Sequence, residues 1–352
     1  MVGLNAHERP PEPLRQLYKK LRRATPAEIE CNPQIVDLQR PQDKALTGFL
    51  HLERRLSRES LDAAFDQFIG SSSWRQSSSA PQDGVPIYTH RAVPGLQIIP
   101  SLLPPPVQIE LLSRLLHRDL CDKRHQTNVH LHYHMSYPTA DENTAWPRSF
   151  FQDDPKRLLA PKDPAAHAPL SVESLLSSKL RWVTLGGQYN WTEKTYPDET
   201  PPAFPGDIAT LLHRIFPDTN AEAAIVNIYS PGDTLSVHRD VSEECDAGLI
   251  SVSFGCDCLF MIGNNHESSC AVLRLRSGDA VYMAGPSRFS WHAVPKILPS
   301  TCPAWLQHWP GDVDTGSTSS PNPFNRWRNW MAGKRVNLNV RQMKPKLGPE
   351  NV

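Results

Sequence analysis

His238-Arg239-Asp240, a further histidine at His292, and the run Arg335-Val-Asn-Leu-Asn-Val-Arg341 are the residues whose types and spacing can do chemistry. Two imidazoles and one carboxylate on one side of a metal ion leave positions open on the other. That donor set suits Fe(II) handling a co-substrate and dioxygen. The two arginines add fixed, permanently charged forks of the kind that hold a dicarboxylate. Together these features read as an enzyme.

The His-x-Asp spacing is weak evidence alone: with 14 histidines in the chain, an acid two positions on arises by chance about once or twice. His51-Leu-Glu53 and His117-Arg-Asp119 share the spacing. Local context separates them. Apolar residues at helical spacing surround His117, and Gly48–Leu56 also reads as helix, where residues i and i+2 point apart. Thr234–His238 reads instead as a strand, entered from Ile225–Tyr229 through a Ser-Pro-Gly-Asp turn. Residues i and i+2 of a strand share a face, so His238 and Asp240 can converge on one ion. His292 follows the strand Ala280–Met283 by one turn, where a ligand at a barrel mouth belongs; a packed histidine beside Trp291 is the alternative. His130, His132 and His134 alternate as well, but no acid lies near, which favours an exposed strand or loop.

Positioning these side chains needs a scaffold, and the chain from Leu180 onward reads as short strands. They are Arg181–Leu185, Ala223–Ser230, Thr234–Asp240, Gly248–Gly255, Cys258–Ile262, Ala271–Arg276, Ala280–Met283, Trp291–Val294 and Arg335–Gln342, with one helix at Ile208–Phe216. Strands of this length broken by Gly, Pro and Asn turns predict an α+β fold whose core is a double-stranded β-helix, or jelly roll, with flanking helices. Alternation places Arg335, Asn337, Asn339 and Arg341 on one strand face, as a polar row lining a barrel interior requires. An exposed polar strand face is the competing reading.

The domain spans 91–346, with the jelly-roll core at about 180–345 and a Pro-, Ser- and Asn-rich insert at 296–333. It begins near Gly95 with the strand Leu96–Ile99, and Pro104 opens a helix running to about Leu120. Residues 137–178 form a Pro- and Ser-rich excursion expected to have little fixed structure at its tips. Residues 1–90 are expected to be a Pro/Ser-rich extension, partly helical and partly disordered, with 71–86 a low-complexity linker.

The chain's 352 residues carry no net charge, so bulk charge does not mark it as a nucleic-acid binder. Locally the picture differs. Phe324–Lys346 holds seven Lys or Arg and no acid, with Trp327 and Trp330 interleaved. That mixture suits phosphate contact plus base stacking, or is simply a solvated segment that holds tryptophans. The seven cysteines are odd in number and scattered, without a disulfide or zinc pattern, as expected for a reducing intracellular compartment. No stretch is long and apolar enough to span a membrane, and no signal-peptide core is visible. Lys19, Lys20, Arg22 and Arg23 are offset by Glu8, Glu12 and Glu28, so nucleus or cytoplasm is expected over mitochondrion.

Asn227-Ile-Tyr229, His238-Arg-Asp240, Ser251-Val-Ser-Phe-Gly255, Ser277-Gly-Asp279, Ser287-Arg-Phe, His292-Ala-Val-Pro295 and Arg335–Arg341 follow one another in an order that resembles the AlkB family of Fe(II)/2-oxoglutarate dioxygenases. The resemblance covers roughly residues 94–345. Leu180–Gly186 and Tyr189-Asn-Trp191 look closest to the branch of the first mammalian AlkB homologue and its fungal relatives.

The resemblance implies that His238, Asp240 and His292 ligate Fe(II). It implies that Arg335 pairs with the distal carboxylate of 2-oxoglutarate, beside Tyr229 and Asn337, and that Asn227 and Arg341 sit near its keto-acid end. The reaction implied is O2-dependent decarboxylation of 2-oxoglutarate to succinate, coupled to hydroxylation of a substrate methyl group; an N-methyl group then leaves as formaldehyde. Trp182, Tyr189, Asn190 and Trp191 match substrate-lid positions, where aromatic rings can sandwich a flipped or single-stranded base. A hydrophobic wall of the jelly roll is the alternative for them.

The expected substrate is methylated nucleic acid, transfer RNA ahead of DNA. Histone or another lysine-bearing protein is the second reading, and a non-catalytic binding module that keeps the jelly roll is the third. Two departures stand out. Gly263-Asn-Asn-His-Glu267 lacks the basic residues expected of a loop that grips a nucleic-acid strand, which weakens a duplex-DNA reading. Ser242-Glu243 stand where bacterial members carry an acid after the His-x-Asp. A monomer without membrane association is expected.

Overall fold

The computed structural model describes residues 4–39, 49–77, 83–138, 149–264, 269–311 and 324–345. In chain order its strands begin with β1 (Ile35–Val36), β2 (Leu50–Leu56), β3 (Val85–His90) and β4 (Val93–Ile99). A small pair, β5 (Leu158–Leu159) and β6 (Leu170–Ser171), precedes β7 (Trp182–Gly186), β8 (Ala223–Tyr229) and β9 (Leu235–His238). Then come β10 (Leu249–Gly255), β11 (Cys258–Gly263), β12 (Cys270–Leu275), β13 (Ala280–Met283), β14 (Trp291–Ile297) and β15 (Arg335–Arg341). The order β1-β12-β11-β14-β9 makes one sheet and β2-β3-β4-β13-β10-β15-β8-β7 the other. Except for the parallel β1–β12 contact, the pairings within these two sheets are antiparallel. The jelly-roll core is thus present, and the strands expected from Arg181 onward fall within one to three residues of their observed ends.

Side-chain alternation explains why the two sheets close on each other. On β11, Cys258, Phe260 and Ile262 join the main core, while Leu259 and Met261 face the opposite way. That outer face is covered by the helix Glu12–Arg23, whose Leu14, Leu17 and Leu21 recur at helical spacing and are buried against Leu259, Met261, Trp291 and Ala293. Burial on both faces is why β11 reads as an unbroken apolar run. The helix is built to start and stop where it does. Pro11 precedes it, Glu12 stands in its first turn, and Lys20, Arg22 and Arg23 stand in its last, each charge favourable to the helix dipole. Each buried leucine contributes at most about 1.5–3 kcal/mol.

On β15 the same alternation works with opposite chemistry. Val336, Leu338 and Val340 are buried in the main core, which also holds Leu61 and Phe65 of the helix Arg58–Ile69, Leu111 of Pro105–Ser113 and Leu211 of Gly206–Ile215. Arg335, Asn337, Asn339 and Arg341 occupy the other face and are buried too. The polar row therefore lines the interior and is not an exposed strand face.

Several expectations differ from the structure. The segment around His51 is not helical: it is β2, paired with β3 at the edge of the large sheet, with His51 and Glu53 exposed. Its sequence, Leu-His-Leu-Glu-Arg-Arg-Leu, carries too few apolar residues to distinguish the two periods. Residues 1–90 are helical at Glu12–Arg23, Pro26–Cys31 and Arg58–Ile69, but they also supply β1, β2 and β3 to the two sheets. The large sheet thus begins ahead of the expected boundary at 90. Within the expected linker at 71–86, Trp74 is buried, its indole N–H donating to Asp66; residues 78–82 lie outside the described residues.

The basic-aromatic stretch also corrects an expectation. Trp327 and Trp330 are buried with Trp309, Phe151 and His117 in one aromatic cluster, so they offer no stacking platform. Lys334 is buried as well, donating to Ser177 and Ser230, which leaves exposed Arg326, Arg328 and Lys344 from the described part of that stretch. The excursion 137–178 is ordered where described, with Phe150 and Phe151 buried and β5 paired to β6. Its tip, 139–148, lies outside the described residues.

Candidate active site

β9 and β14 pair so that His238 lies directly opposite His292. Their rings stand 4.3 Å apart, centroid to centroid. Asp240 follows two residues after the end of β9, with its oxygens 3.7 Å from His238 Nε2 and 3.9 Å from His292 Nε2. One donor atom from each of the three lies within 4.8 Å of the others, the spacing of ligands around a single ion. Both rings are oriented by the backbone: His238 Nδ1 meets the Ser236 carbonyl at 2.8 Å and His292 Nδ1 meets the Ser290 carbonyl at 3.1 Å. A proton on each Nδ1 leaves each Nε2 lone pair aimed at Asp240, as a metal site requires. The other two spacing matches do not converge. His117 packs among aromatic rings while Asp119 pairs with Arg118.

A second layer holds the carboxylate. Arg341 Nη2 donates to Asp240 Oδ2 at 2.5 Å, and its Nε lies 3.2 Å from Glu243. Arg288, almost fully buried, donates to the Asp240 carbonyl, the Ala247 carbonyl and Glu243 Oε2. Burial alone would raise the Asp240 pKa; Arg341 overcomes it and holds the carboxyl well below its usual range. Burial, reinforced by His238, lowers His292 to about 4, so that imidazole is neutral. Glu243 and Arg288 had no assigned role in the sequence. Their place in the series, three residues after Asp240 and inside Ser-Arg-Phe, was visible, but not the contact between them.

Deeper in the barrel, Arg335 is 1% exposed. Its Nη2 donates to Ser253 Oγ at 3.1 Å, whereas Nε and Nη1 have no partner. Tyr229 stands beside it, ring centroid 5.3 Å from the guanidinium carbon, with its buried hydroxyl also unpartnered. Burial raises that phenol to about 12, so it is a hydrogen-bond donor. A buried cation with free N–H groups is costly unless an anion completes it. Asn337 Nδ2 donates to Ser251 Oγ and the Val252 carbonyl, which ties its side chain to β10. Asn227 faces Asn337 across β8 and β15 and lines the cavity above the triad.

That cavity, about 240 Å³, is bounded by His238, Asp240, Arg341, Asn339, Tyr189 and Trp191, among others. Trp191 is 38% exposed and leans on half-buried Trp182 at 5.2 Å, while Tyr189 meets Trp191 edge-on at 5.0 Å. Tyr189 and Trp191 thus wall the cavity and Trp182 supports them. Asn190 does something different: its Oδ1 accepts the Thr192 and Glu193 backbone N–H groups and shapes the turn. A larger cavity, about 650 Å³, is lined by Phe65, Trp74, Gln108, Asp257, Arg274 and Trp305 and shares none of these side chains. The chemistry lies in the smaller one. The acidic-side departure Gly263–Glu267 falls mostly outside the described residues, and His130 is occupied by Thr127 and Tyr137.

Comparison with known proteins agrees with this geometry. The model of the 2OG-Fe(II) oxygenase superfamily matches residues 140–341. The chain is 45% identical to N6-methyladenosine RNA demethylase ALKB1 of Pyricularia oryzae, over 98% of this chain and 99% of that protein. It is 38% identical to tRNA demethylase abh1 of Schizosaccharomyces pombe, over 74% of this chain and 82% of that protein. Nucleic acid dioxygenase ALKBH1 of Homo sapiens is 34% identical over 53% of this chain and 51% of its own length. With the jelly roll, the converging His-Asp-His set and these relatives together, the chain belongs to the 2OG-Fe(II) oxygenase superfamily, in its AlkB group.

Proposed function

We propose that this protein removes N-methyl groups from adenine bases in RNA, transfer RNA included, as an Fe(II)- and 2-oxoglutarate-dependent dioxygenase. The observation that carries the reading is that one barrel holds both the His238-Asp240-His292 donor set and a buried arginine, Arg335, whose Nε and Nη1 have no partner. The donors fit Fe(II): two imidazoles and a carboxylate held ionised by Arg341. The free N–H groups of Arg335 and the Tyr229 hydroxyl fit the distal carboxylate of a 2-oxoglutarate molecule. Bound there, iron and 2-oxoglutarate supply the oxidising power for attack on a methyl group.

The protein's own residues do the rest. Backbone carbonyls at Ser236 and Ser290 fix the two rings, and Arg288 with Glu243 fixes the backbone and side chain around Asp240. The ring-walled cavity is small enough to suit one base out of its stack, not a base pair. Tyr189 and Trp191 would grip that base. Hydroxylation of the methyl carbon yields a carbinolamine, which breaks its C–N bond to give formaldehyde and the unmethylated amine. The choice of RNA follows the names of the two fungal relatives that this chain matches over most of their length.

The test is formaldehyde release from a panel: N6-methyladenine in single-stranded RNA and DNA, methylated transfer RNA, duplex DNA and methyl-lysine histone peptides. Fastest release from an RNA member is expected. Release from the histone peptides alone would overturn the proposal.

A further inference from the structure

Arg239, the middle residue of the His-x-Asp motif, and Lys194 both border the active-site cavity, and so does Ala6 near the chain start. Both cations give their charge to that N-terminal arm. Lys194 Nζ donates to the Ala6 carbonyl at 3.0 Å, and Arg239 pairs with the Glu8 carboxylate. The arm lies outside the span matched by the superfamily model.

The two halves of the Arg239–Glu8 pair are unequal. The guanidinium lies over the buried Trp291 ring, 4.3 Å from its centroid, and its Nε is buried without a partner. Arg239's side chain is 13% exposed, against 51% for Glu8. Lys194 is also positioned: its carbonyl accepts the Ser242 hydroxyl, which ties the Trp191 loop to the chain leaving Asp240. The cations are thus built in, while the partner of Arg239 is a solvated carboxylate of the kind whose ion pairs contribute little and that of Lys194 is a neutral backbone carbonyl. An anion with several oxygens, able to engage Arg239 and Lys194 together, would hold them better than one surface glutamate.

We propose that Arg239 and Lys194 form a phosphate-backbone subsite at the cavity rim, and that Ala6 and Glu8 occupy it until a nucleic-acid strand displaces them. The proposal rests on the nucleic-acid reading above and adds which residues grip the strand beside the target base.

The experiment is binding of a methylated single-stranded RNA oligonucleotide by fluorescence anisotropy over a range of salt, with turnover followed in parallel. Lys194→Ala should weaken binding and lower the slope of log affinity against log salt by about 0.7, one phosphate contact on a single strand. Glu8→Gln should do the reverse, tightening binding about two- to five-fold, the scale of an exposed ion pair. That gain should be absent with the methylated nucleoside, which carries no phosphate. Arg239→Lys should retain most of the slope that Arg239→Gln loses, and Fe(II) titration of each keeps a metal defect distinct from a phosphate defect. Wild-type affinity and slope in both Lys194→Ala and Glu8→Gln, with RNA still turned over, would overturn the subsite alone. Failure of the wild-type protein to bind or demethylate any oligonucleotide would instead overturn the nucleic-acid reading, and the subsite with it.

Discussion

At the scale of single residues, the site divides into groups that are satisfied and groups, Arg335 and the Tyr229 hydroxyl among them, that are not. Asp240 has Arg341, and Arg341 has Glu243, which in turn has Arg288. Arg335 has one serine hydroxyl as partner, and its Nε and Nη1 have none. Replacing a buried, unpaired charge by an apolar side chain of similar size is often neutral or stabilising, whereas losing its ligand contact is expensive. Arg335→Met should therefore raise the melting temperature of the ligand-free protein or leave it unchanged, while weakening 2-oxoglutarate binding by about 2–5 kcal/mol. Calorimetric titration and thermal unfolding of the same preparation measure both. Unaltered 2-oxoglutarate affinity would place the dicarboxylate elsewhere. At this scale the sequence was most legible, because the His-x-Asp strand and the alternating Arg335–Arg341 run encode their own geometry with period two. Asn337 and Asn190 were less so: each makes local hydrogen bonds that spacing does not reveal.

At the scale of elements, the strands were readable and the packing partners of the helices were not. The helix Glu12–Arg23 showed itself by its basic residues, but the sheet face it covers lies more than two hundred residues away in the chain. Its leucines bury against β11 and β14, so Leu14→Ala should cost about 2–5 kcal/mol in a denaturant melt. A loss under 1 kcal/mol would mean that the helix is not docked. The basic-aromatic stretch 324–346 misled for a related reason. Tryptophans amid basic residues suit either a binding surface or a core, and only the fold brings Trp309, Trp327 and Trp330 around Phe151 and His117. Burial in that cluster lowers His117 to about 4. The unfolded chain takes up a proton near pH 6.5 and the folded one does not until about pH 4, so this group costs stability as pH falls through that window. The loss of melting temperature between pH 7 and pH 5 should accordingly be smaller in His117→Phe than in the wild type. Equal losses would remove His117 as a contributor.

At the scale of the whole molecule, two sheets close on a polar interior while helices cover their outer faces, and the N-terminal third completes both sheets. That last fact was hidden in the sequence: β1, β2 and β3 are short or edge strands whose residues alternate weakly, and they pair with partners up to 237 residues away. Closure brings His238, Asp240 and His292 together and buries Arg335 beside Tyr229 in the same fold, as the central claim requires. The direct measurement is the stoichiometry of succinate and formaldehyde with methylated single-stranded RNA under Fe(II), 2-oxoglutarate and air, in the wild type and in Asp240→Ala. Near-equal amounts of both products are expected from the wild type. In Asp240→Ala both should fall by more than about 100-fold, beyond the 10–100-fold typical of residues that only orient a ligand. Succinate undiminished in Asp240→Ala, or none from the wild type, would contradict the assignment.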